Sequence, residues 1–227
     1  MQPGLTLAAR DLACRRGDRL LFRGLSLELG AGDALYLSGP NGIGKTSLLR
    51  ILAGLLRPFA GSIERSGTIG MVDGRAALDP QLPLGKALEF WAGLDGCGAL
   101  DTAAERLGLA NLLDVPVRYL STGQTKRAAL ARLLAQDAGI WLLDEPLNGL
   151  DVEGVALVEA LVADHCTAGG IAVVASHQPV ALPGDKVLAL EDYLPSPLGE
   201  GPGVGPVTDF APTTSPTPTP PLKGRGL

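Results

Sequence analysis

Residues 34–49 read ALYLSGPNGIGKTSLL and indicate the fold class more clearly than any other part of the chain. A run of strand-forming residues ends at Ser38, a loop punctuated by glycines follows over residues 39–44, and a helix-like run begins at Lys45. The loop has the G-x-x-x-x-G-K-[ST] spacing of a phosphate-binding loop, between the strand and the helix that this motif requires. A glycine-rich turn that matches by chance is the alternative, and this context disfavours it. The sequence therefore predicts a nucleoside triphosphate site.

The residues of this P-loop have distinct roles in the predicted site. Glycines let the backbone curl so that successive N–H groups face one anion, and the helix that follows adds unpaired N–H groups and its positive dipole end. We expect Lys45 to contact the β- and γ-phosphates and to act in catalysis, and the Thr46 hydroxyl to ligate Mg²⁺. The predicted nucleotide contacts from this loop are Gly39, Pro40, Asn41, Gly42, Ile43, Gly44, Lys45, Thr46 and Ser47.

Composition limits the class of protein. The chain has 227 residues and a formal net charge of -5, which gives no electrostatic basis for nucleic-acid binding. Its three cysteines, Cys14, Cys97 and Cys166, lack metal-ligand spacing and are expected to be reduced thiols of a cytosolic protein. The N-terminal stretch lacks the layout of a signal peptide, and no apolar run approaches the ~18 residues of a membrane-spanning helix. A role at a membrane would therefore need a partner chain.

The pattern along the chain predicts an α/β core with a helical insert. Short strands are expected over residues 5–29, and strand and helix patterns alternate again after residue 136, which implies a mainly parallel sheet covered on both faces. Residues 80–136 lack strand signals and predict the insert, with helices at about 85–92, 100–108 and 123–135. In the core, helices are predicted at 45–56 and 152–168, and buried strands at 139–143 and 171–175.

The last part of the chain has a different composition. We predict one domain over residues 1–193 and a Pro/Gly/Thr-rich disordered tail over residues 194–227, because such a segment cannot bury enough apolar surface to offset its ordering entropy. A dispensable extension is the first interpretation of this tail, and a flexible docking linker is the alternative.

Two further motifs carry candidate chemistry. The run IWLLDEP, residues 140–146, is an apolar strand that ends in two carboxylates. In P-loop enzymes the first, here Asp144, holds the Mg²⁺ shell, and Glu145 is placed to polarise a water as a general base. The run LSTGQ, residues 120–124, precedes a basic helix: Ser121 is a candidate helix N-cap, and Gly123 permits a close backbone approach to an anion.

Taken in order, these motifs resemble those of the nucleotide-binding domain of ABC transporters. The set is GPNGIGKT, LSTGQ, WLLDEP, Asn148-Gly149-Leu150-Asp151 and Ser176-His177, and the resemblance covers about residues 5–190. It implies a P-loop NTPase that binds ATP and Mg²⁺, with an N-terminal antiparallel β subdomain and a short helical insert. It also implies a head-to-tail homodimer in which Ser121, Gly123 and Gln124 contact the ATP of the opposite subunit. Asp151 would belong to the D-loop, and His177 would be the switch histidine.

A narrower resemblance, carried by RRGDRLLF, EFWAGL, LSTGQTKRAALARLL and GGIAVVASHQP, is to the CcmA family of the bacterial cytochrome c maturation system. It implies an ATPase subunit that drives an integral membrane partner in haem export, bound peripherally to the cytoplasmic face of the inner membrane. The chain carries no C-x-x-C-H haem motif, so the link to haem comes only through the resemblance and through partners. An ATPase subunit of another small exporter and a non-transport ABC remodelling ATPase are the alternatives.

Two positions depart from the ABC pattern. Arg15 and Arg16 occupy the region where an aromatic residue usually stacks on adenine, and Arg75 takes the place of the Q-loop glutamine. Arginine can stack on a base, but it cannot accept a hydrogen bond.

Phe90 and Trp91 on the insert are candidate contacts for a membrane partner, with packing inside the insert as the alternative.

Overall fold

The strand that leads into the P-loop lies inside a five-stranded sheet. The computed structural model of the chain describes residues 4–95, 100–184 and 186–195. Its strands are β1 (Thr6–Arg16), β2 (Arg19–Gly30), β3 (Ala34–Ser38), β4 (Ala60–Ser66), β5 (Ile69–Val72), β6 (Ile140–Asp144), β7 (Ile171–Ala175) and β8 (Val187–Ala189). Its α-helices are α1 (Lys45–Ala53), α2 (Leu84–Asp95), α3 (Leu100–Arg106), α4 (Thr122–Ala135) and α5 (Val152–Thr167).

The larger sheet has the order β5-β6-β7-β3-β8, and all its pairings are parallel. The predicted parallel sheet is therefore confirmed. Strands β6, β7 and β3 are neighbours, so their carboxyl ends meet at one edge, where ligands bind in open α/β sheets. This order brings together three segments that are far apart in sequence: the P-loop, the two carboxylates at the end of β6, and the Ser-His pair after β7.

The smaller sheet is antiparallel, with the order β2-β1-β4. It confirms the N-terminal antiparallel subdomain that the resemblance implied. Its apolar face packs with α1 against one face of the parallel sheet, including Ile140 and Leu142. The alternate residues of β6, Trp141 and Leu143, face a second apolar cluster with α4 and α5. The parallel sheet is thus covered on both faces, as its nearly continuous apolar strands predict.

Three helices, α2 to α4, occupy the stretch predicted to be the helical insert, together with short 3-10 turns at Ala110–Leu112 and Val117–Tyr119. Residues 96–99, which include Cys97, lie outside the described part of the chain, and so does the predicted tail from residue 196 onward. In the described ranges, no helix combines the length and the apolar character needed to cross a membrane. Cys14 and Cys166 are buried free thiols, as expected.

The predicted C-terminus of the first helix, at residue 56, is wrong by three residues. Helix α1 ends at Ala53 because Gly54 adopts a left-handed conformation, with φ of +78°. The N–H groups of Leu55 and Leu56 then donate to the Arg50 carbonyl, at 2.8 and 3.1 Å. This is the usual glycine termination of a helix, and here it overrides the apolar periodicity that continues through residue 56.

Candidate functional site

The P-loop lysine is held at the centre of the site. Lys45 is only 5% exposed, and its Nζ donates to the carbonyl oxygens of Gly39 and Pro40 at 2.6 and 3.4 Å. The same ammonium lies 3.2 Å from Glu145 Oε1. Gly44, just before the helix, has a φ of +123°, which side-chain-bearing residues rarely adopt. The loop therefore presents a buried cation beside the carboxylate of Glu145, the residue that follows β6.

Thr46 and Asp144 form the second part of the site. The Thr46 hydroxyl donates to Asp144 Oδ2 at 2.7 Å, and Asp144 is only 6% exposed. Its other oxygen, Oδ1, is buried without a hydrogen-bond partner. Burial raises the pKa of this carboxyl group, while the Thr46 bond opposes the rise. Mg²⁺ is commonly bound by one or two oxygen side chains together with substrate phosphates, so a hydroxyl beside an orphaned carboxylate oxygen fits this ion.

The Glu145 carboxylate has contacts on both of its oxygens. Opposite the Lys45 pair, its Oε2 lies 2.8 Å from His177 Nδ1, and the His177 backbone N–H lies 3.4 Å from the same oxygen. The backbone N–H of Glu145 donates to the Ala175 carbonyl at 2.8 Å. Glu145 also has a φ of +49°, which is uncommon for a residue with a side chain. Strain of this kind is typical of functional positions, and here it aims the carboxylate between Lys45 and His177.

The signature turn, residues 120–124, forms hydrogen bonds within itself at the start of α4. Ser121 is the N-cap of α4: its Oγ accepts from Gln124 N at 3.2 Å, and Gln124 Oε1 accepts from Ser121 N at 2.8 Å. This reciprocal pair is a capping box, which confirms Ser121 as an N-cap. Gly123 packs closely on the next loop, where a Cβ would lie 3.1 Å from the Gly149 carbonyl.

Asp151 also caps a helix. It is the N-cap of α5, and its Oδ1 accepts from Gly154 N at 2.8 Å. Within the described residues, neither Asp151 nor the signature turn lines the cavity of about 200 Å³ at the P-loop. That P-loop cavity is lined by Leu21, Asn41, Gly42, Gly44, Lys45, Thr46, Ser47, Asp144 and Glu145. The fold thus brings the P-loop together with Asp144, Glu145 and His177, and it leaves four predicted site residues outside this cavity: Ser121, Gly123, Gln124 and Asp151.

Comparison with known proteins identifies this arrangement. A family model described as ABC transporter matches residues 22–148. A Novosphingobium aromaticivorans protein named cytochrome c biogenesis ATP-binding export protein CcmA is 57% identical over 189 residues, which is 83% of this chain and 97% of that protein. A Zymomonas mobilis protein of the same name is 52% identical over 189 residues, covering 83% and 86% of the two chains. The chain belongs to the CcmA family of ABC ATPases.

Solved structures agree on the fold. A Pyrococcus furiosus ABC transporter ATP-binding protein matches with a TM-score of 0.75 at 24% identity, over 84% of this chain and all of that chain. A metal-chelate type ABC transporter in an inward-facing conformation matches with a TM-score of 0.67 at 26% identity, over 78% and 75% of the two chains. The predicted family and fold class are therefore confirmed.

The two departures from the ABC pattern take definite positions in this CcmA-family chain. The Arg15 guanidinium lies 4.7 Å from the centroid of the Phe59 ring, so it stacks on a protein aromatic group. The Arg75 side chain is exposed, and its backbone N–H donates to Asp73 Oδ1 at 2.9 Å. The other oxygen of Asp73 pairs with Arg50 at 3.4 Å, so Arg75 is not the side chain that neutralises this acid.

The sequence did not single out Lys126, two residues beyond the signature turn. It is half-buried, and it lines a cavity of about 430 Å³ that also contacts Glu145. Burial lowers the pKa of Lys126, and the charges of Asp144, Asp73 and Glu145 oppose that effect. A lysine in a basic helix is usually a solvated surface residue, and only the packing of α4 reveals this one.

The insert residues singled out as partner contacts differ from each other. Phe90 is 59% exposed, whereas Trp91 is fixed by a hydrogen bond from its Nε1 to the Ala77 carbonyl at 2.7 Å and by Arg132 over its ring at 3.5 Å. Both line a cavity of about 280 Å³ with Leu82. His165 stacks on Trp141 with ring centroids 3.9 Å apart.

Proposed function

We propose that this chain hydrolyses ATP to drive a separate integral membrane subunit that exports haem for cytochrome c maturation. The observation that carries the hydrolytic part is the position of Glu145 between the Lys45 ammonium and the His177 ring. A carboxylate held in this way, beside a P-loop, is suited to activate a water for in-line attack on a γ-phosphate.

The proposed chemistry assigns one task to each side chain. The P-loop N–H groups and the Lys45 ammonium bind the β- and γ-phosphates, and Lys45 exchanges its contact with Glu145 for the phosphate oxygens. Glu145 accepts the proton of the attacking water. His177, with its proton on Nδ1, donates to Glu145 Oε2 and so orients that base. Mg²⁺ held by Thr46 and Asp144 would neutralise charge on the β- and γ-phosphates.

A homodimer is proposed because Ser121, Gly123 and Gln124 are not among the described residues that line the P-loop cavity of their own chain. Head-to-tail pairing of two copies would bring Ser121, Gly123 and Gln124 to the γ-phosphate bound by the partner. The N-terminus of α4 then adds its free N–H groups and dipole to an anion, which is the arrangement that favours phosphate binding. Asp151, at the start of α5, would lie beside this interface.

The proposed membrane partner binds at the insert. Phe90 and Leu82 leave apolar area exposed around the cavity of about 280 Å³, whereas Trp91 gives that cavity a rigid wall. Exposed apolar surface that borders a groove is typical of protein-binding sites. The chain would thereby attach peripherally to the cytoplasmic face of the inner membrane.

The role in cytochrome c maturation rests on the named relatives. The Novosphingobium aromaticivorans protein matches this chain over 97% of its own length, so no large part of that relative is missing here. Copurification from native membranes tests this part of the proposal: a haem-exporter membrane subunit should come down with the chain. Recovery of a different exporter, or of soluble partners alone, would contradict it.

Glu145→Gln tests the hydrolytic part. Without its base the variant should bind ATP with unchanged affinity, lose at least about a hundredfold in turnover, and accumulate as an ATP-bound dimer in size-exclusion chromatography. Glu64→Gln makes the same change at an exposed position of β4 and should behave like the wild type. Unchanged hydrolysis by Glu145→Gln would contradict the assignment.

A further inference from the structure

One cavity beside Glu145 is lined by a cationic side chain that belongs to neither the P-loop nor the Q-loop. This cavity, the insert cavity, has a volume of about 430 Å³ and lies between α4, the segment after β5 and the loop after β6. It is lined by Asp73, Gly74, Ala76, Leu120, Thr122, Thr125, Lys126, Ala129, Glu145 and Asn148. Lys126 is the cationic residue in this lining, and Glu145 is the proposed general base.

The carboxylates around Lys126 already have other partners. Three carboxylates, Asp73, Asp144 and Glu145, act on its ammonium electrostatically. Each has other partners: Asp73 pairs with Arg50, Asp144 accepts from Thr46, and Glu145 pairs with Lys45 and His177. Lys126 itself has no ion-pair partner among the residues that the structure describes.

A half-buried ammonium without a partner is costly, since it loses hydration and gains no direct ion pair in return. Apolar or neutral side chains would fill a position beside Ala129 at lower cost. Unpaired cations near reacting groups are instead common where charge must be stabilised during a reaction.

The alternative cation for this place would be Arg75, which the resemblance to ABC domains predicts in the place of the Q-loop glutamine. Its side chain is exposed, and it does not line the insert cavity. Thus the positive group that lines the insert cavity with Glu145 comes from α4, the helix that begins at the signature turn. Helix α4 also packs against α2 and α3 of the insert.

We propose that Lys126 is a positioning residue for ATP hydrolysis, acting on Glu145 of its own chain across the insert cavity. The proposal rests on the proposed function, because it concerns the same general base. Ser121 and Lys126 lie at the beginning of one rigid helix, so contact of the signature turn with a partner-bound nucleotide moves the Lys126 charge relative to Glu145. The insert would in this way influence the base of its own site.

The test compares Lys126→Gln and Lys126→Arg with Lys86→Gln in the full-length protein. Lys86 lies on the same insert but is exposed and paired with Glu89, so its variant is the matched control. We expect Lys126→Gln to lower kcat about tenfold or more, while KM and the affinity for a fluorescent ATP analogue stay within about twofold. Lys126→Arg should restore most of kcat, and Lys86→Gln should resemble the wild type.

The outcomes separate this proposal from a structural role and from the proposed function. Full kcat in Lys126→Gln, with Glu145→Gln inactive, overturns the role of Lys126 and leaves the proposed function standing. The role of Lys126 is also overturned if Lys126→Arg does not restore kcat and the variants show a lower Tm or weaker analogue binding. That result would indicate that the substitutions disrupt packing. Hydrolysis that persists in Glu145→Gln overturns both proposals.

Discussion

In the P-loop region, polar side chains from three segments of the chain lie close together. In the signature region, polar side chains instead form hydrogen bonds with nearby backbone groups. Glu145 contacts both Lys45 and His177, although about 130 residues separate these two, and Thr46 bonds to the neighbouring Asp144. By contrast, Ser121, Gln124 and Asp151 bond to backbone groups within three residues of themselves. One region joins side chains from distant segments, and the other consists of two capped helix ends.

This difference indicates how a complete site is assembled. The P-loop region holds a buried ammonium, a hydroxyl and two carboxylates, but among the described residues no part of the signature turn lines its cavity. The start of α4 is held rigid by its cap, and a helix N-terminus favours binding of an anion, here one supplied by another chain. We therefore interpret each chain as contributing two unlike half-sites, which become complete only when two copies pair.

The largest effect is expected in the P-loop half-site. Lys45→Ala removes the ammonium that contacts the phosphates, so ATP binding should weaken about 10- to 100-fold and turnover should fall to background. A fluorescent ATP analogue measures the binding. Lys86→Ala is the control on the exposed surface of α2. Retained affinity in Lys45→Ala would contradict the placement of the triphosphate.

An intermediate effect is expected at the signature turn. Ser121→Asp keeps the N-cap, since aspartate caps helices as well as serine does, but it places a negative charge where a partner's γ-phosphate should lie. ATP binding by the single chain and the Tm should remain unchanged, while ATP-dependent dimerisation and turnover should fall about tenfold or more. Ser121→Asn, a neutral capping residue, is the matched control. Loss of binding in the monomer would show that the turn belongs to its own P-loop site.

The smallest effect is expected at Asp151. Because its side chain caps α5, Asp151→Ala should cost about 1 kcal/mol of stability and lower the Tm by about 2–4 °C, without changing ATP binding. Asp151→Asn retains a capping side chain and should have nearly the wild-type Tm. An unchanged Tm in Asp151→Ala would mean that the bond to Gly154 contributes no stability.

The sequence predicted the elements that depend on local pattern. The P-loop, the strand that ends at Asp144 and the cap at Ser121 all follow from short-range spacing. The end of α1 was mispredicted because the apolar pattern continues past Gly54, and a single left-handed residue terminates the helix. Local signals of this kind compete, and periodicity alone does not decide between them.

Contacts across the sheet could be expected only through the family resemblance. The ion pair of Lys45 with Glu145 and the contact of Glu145 with His177 depend on the strand order β6-β7-β3, which no local pattern reveals. Lys126 was missed for the same reason: its place in the insert cavity depends on how α4 packs beside the loop after β6. Arg75, which the resemblance placed at the Q-loop glutamine, has an exposed side chain.

Crosslinking between the two half-sites tests the shared site most directly. In the Glu145→Gln, Cys97→Ser background, one preparation carries Asn41→Cys in the P-loop, and a second carries Ser121→Cys at the signature turn. The mixture is treated with a short bismaleimide, with and without Mg²⁺ and ATP, and each preparation alone is the control. We expect a crosslinked dimer on denaturing gels only in the mixture, and only with nucleotide. No nucleotide-dependent dimer in the mixture, or a double variant that crosslinks within one monomer, would contradict two half-sites meeting between chains.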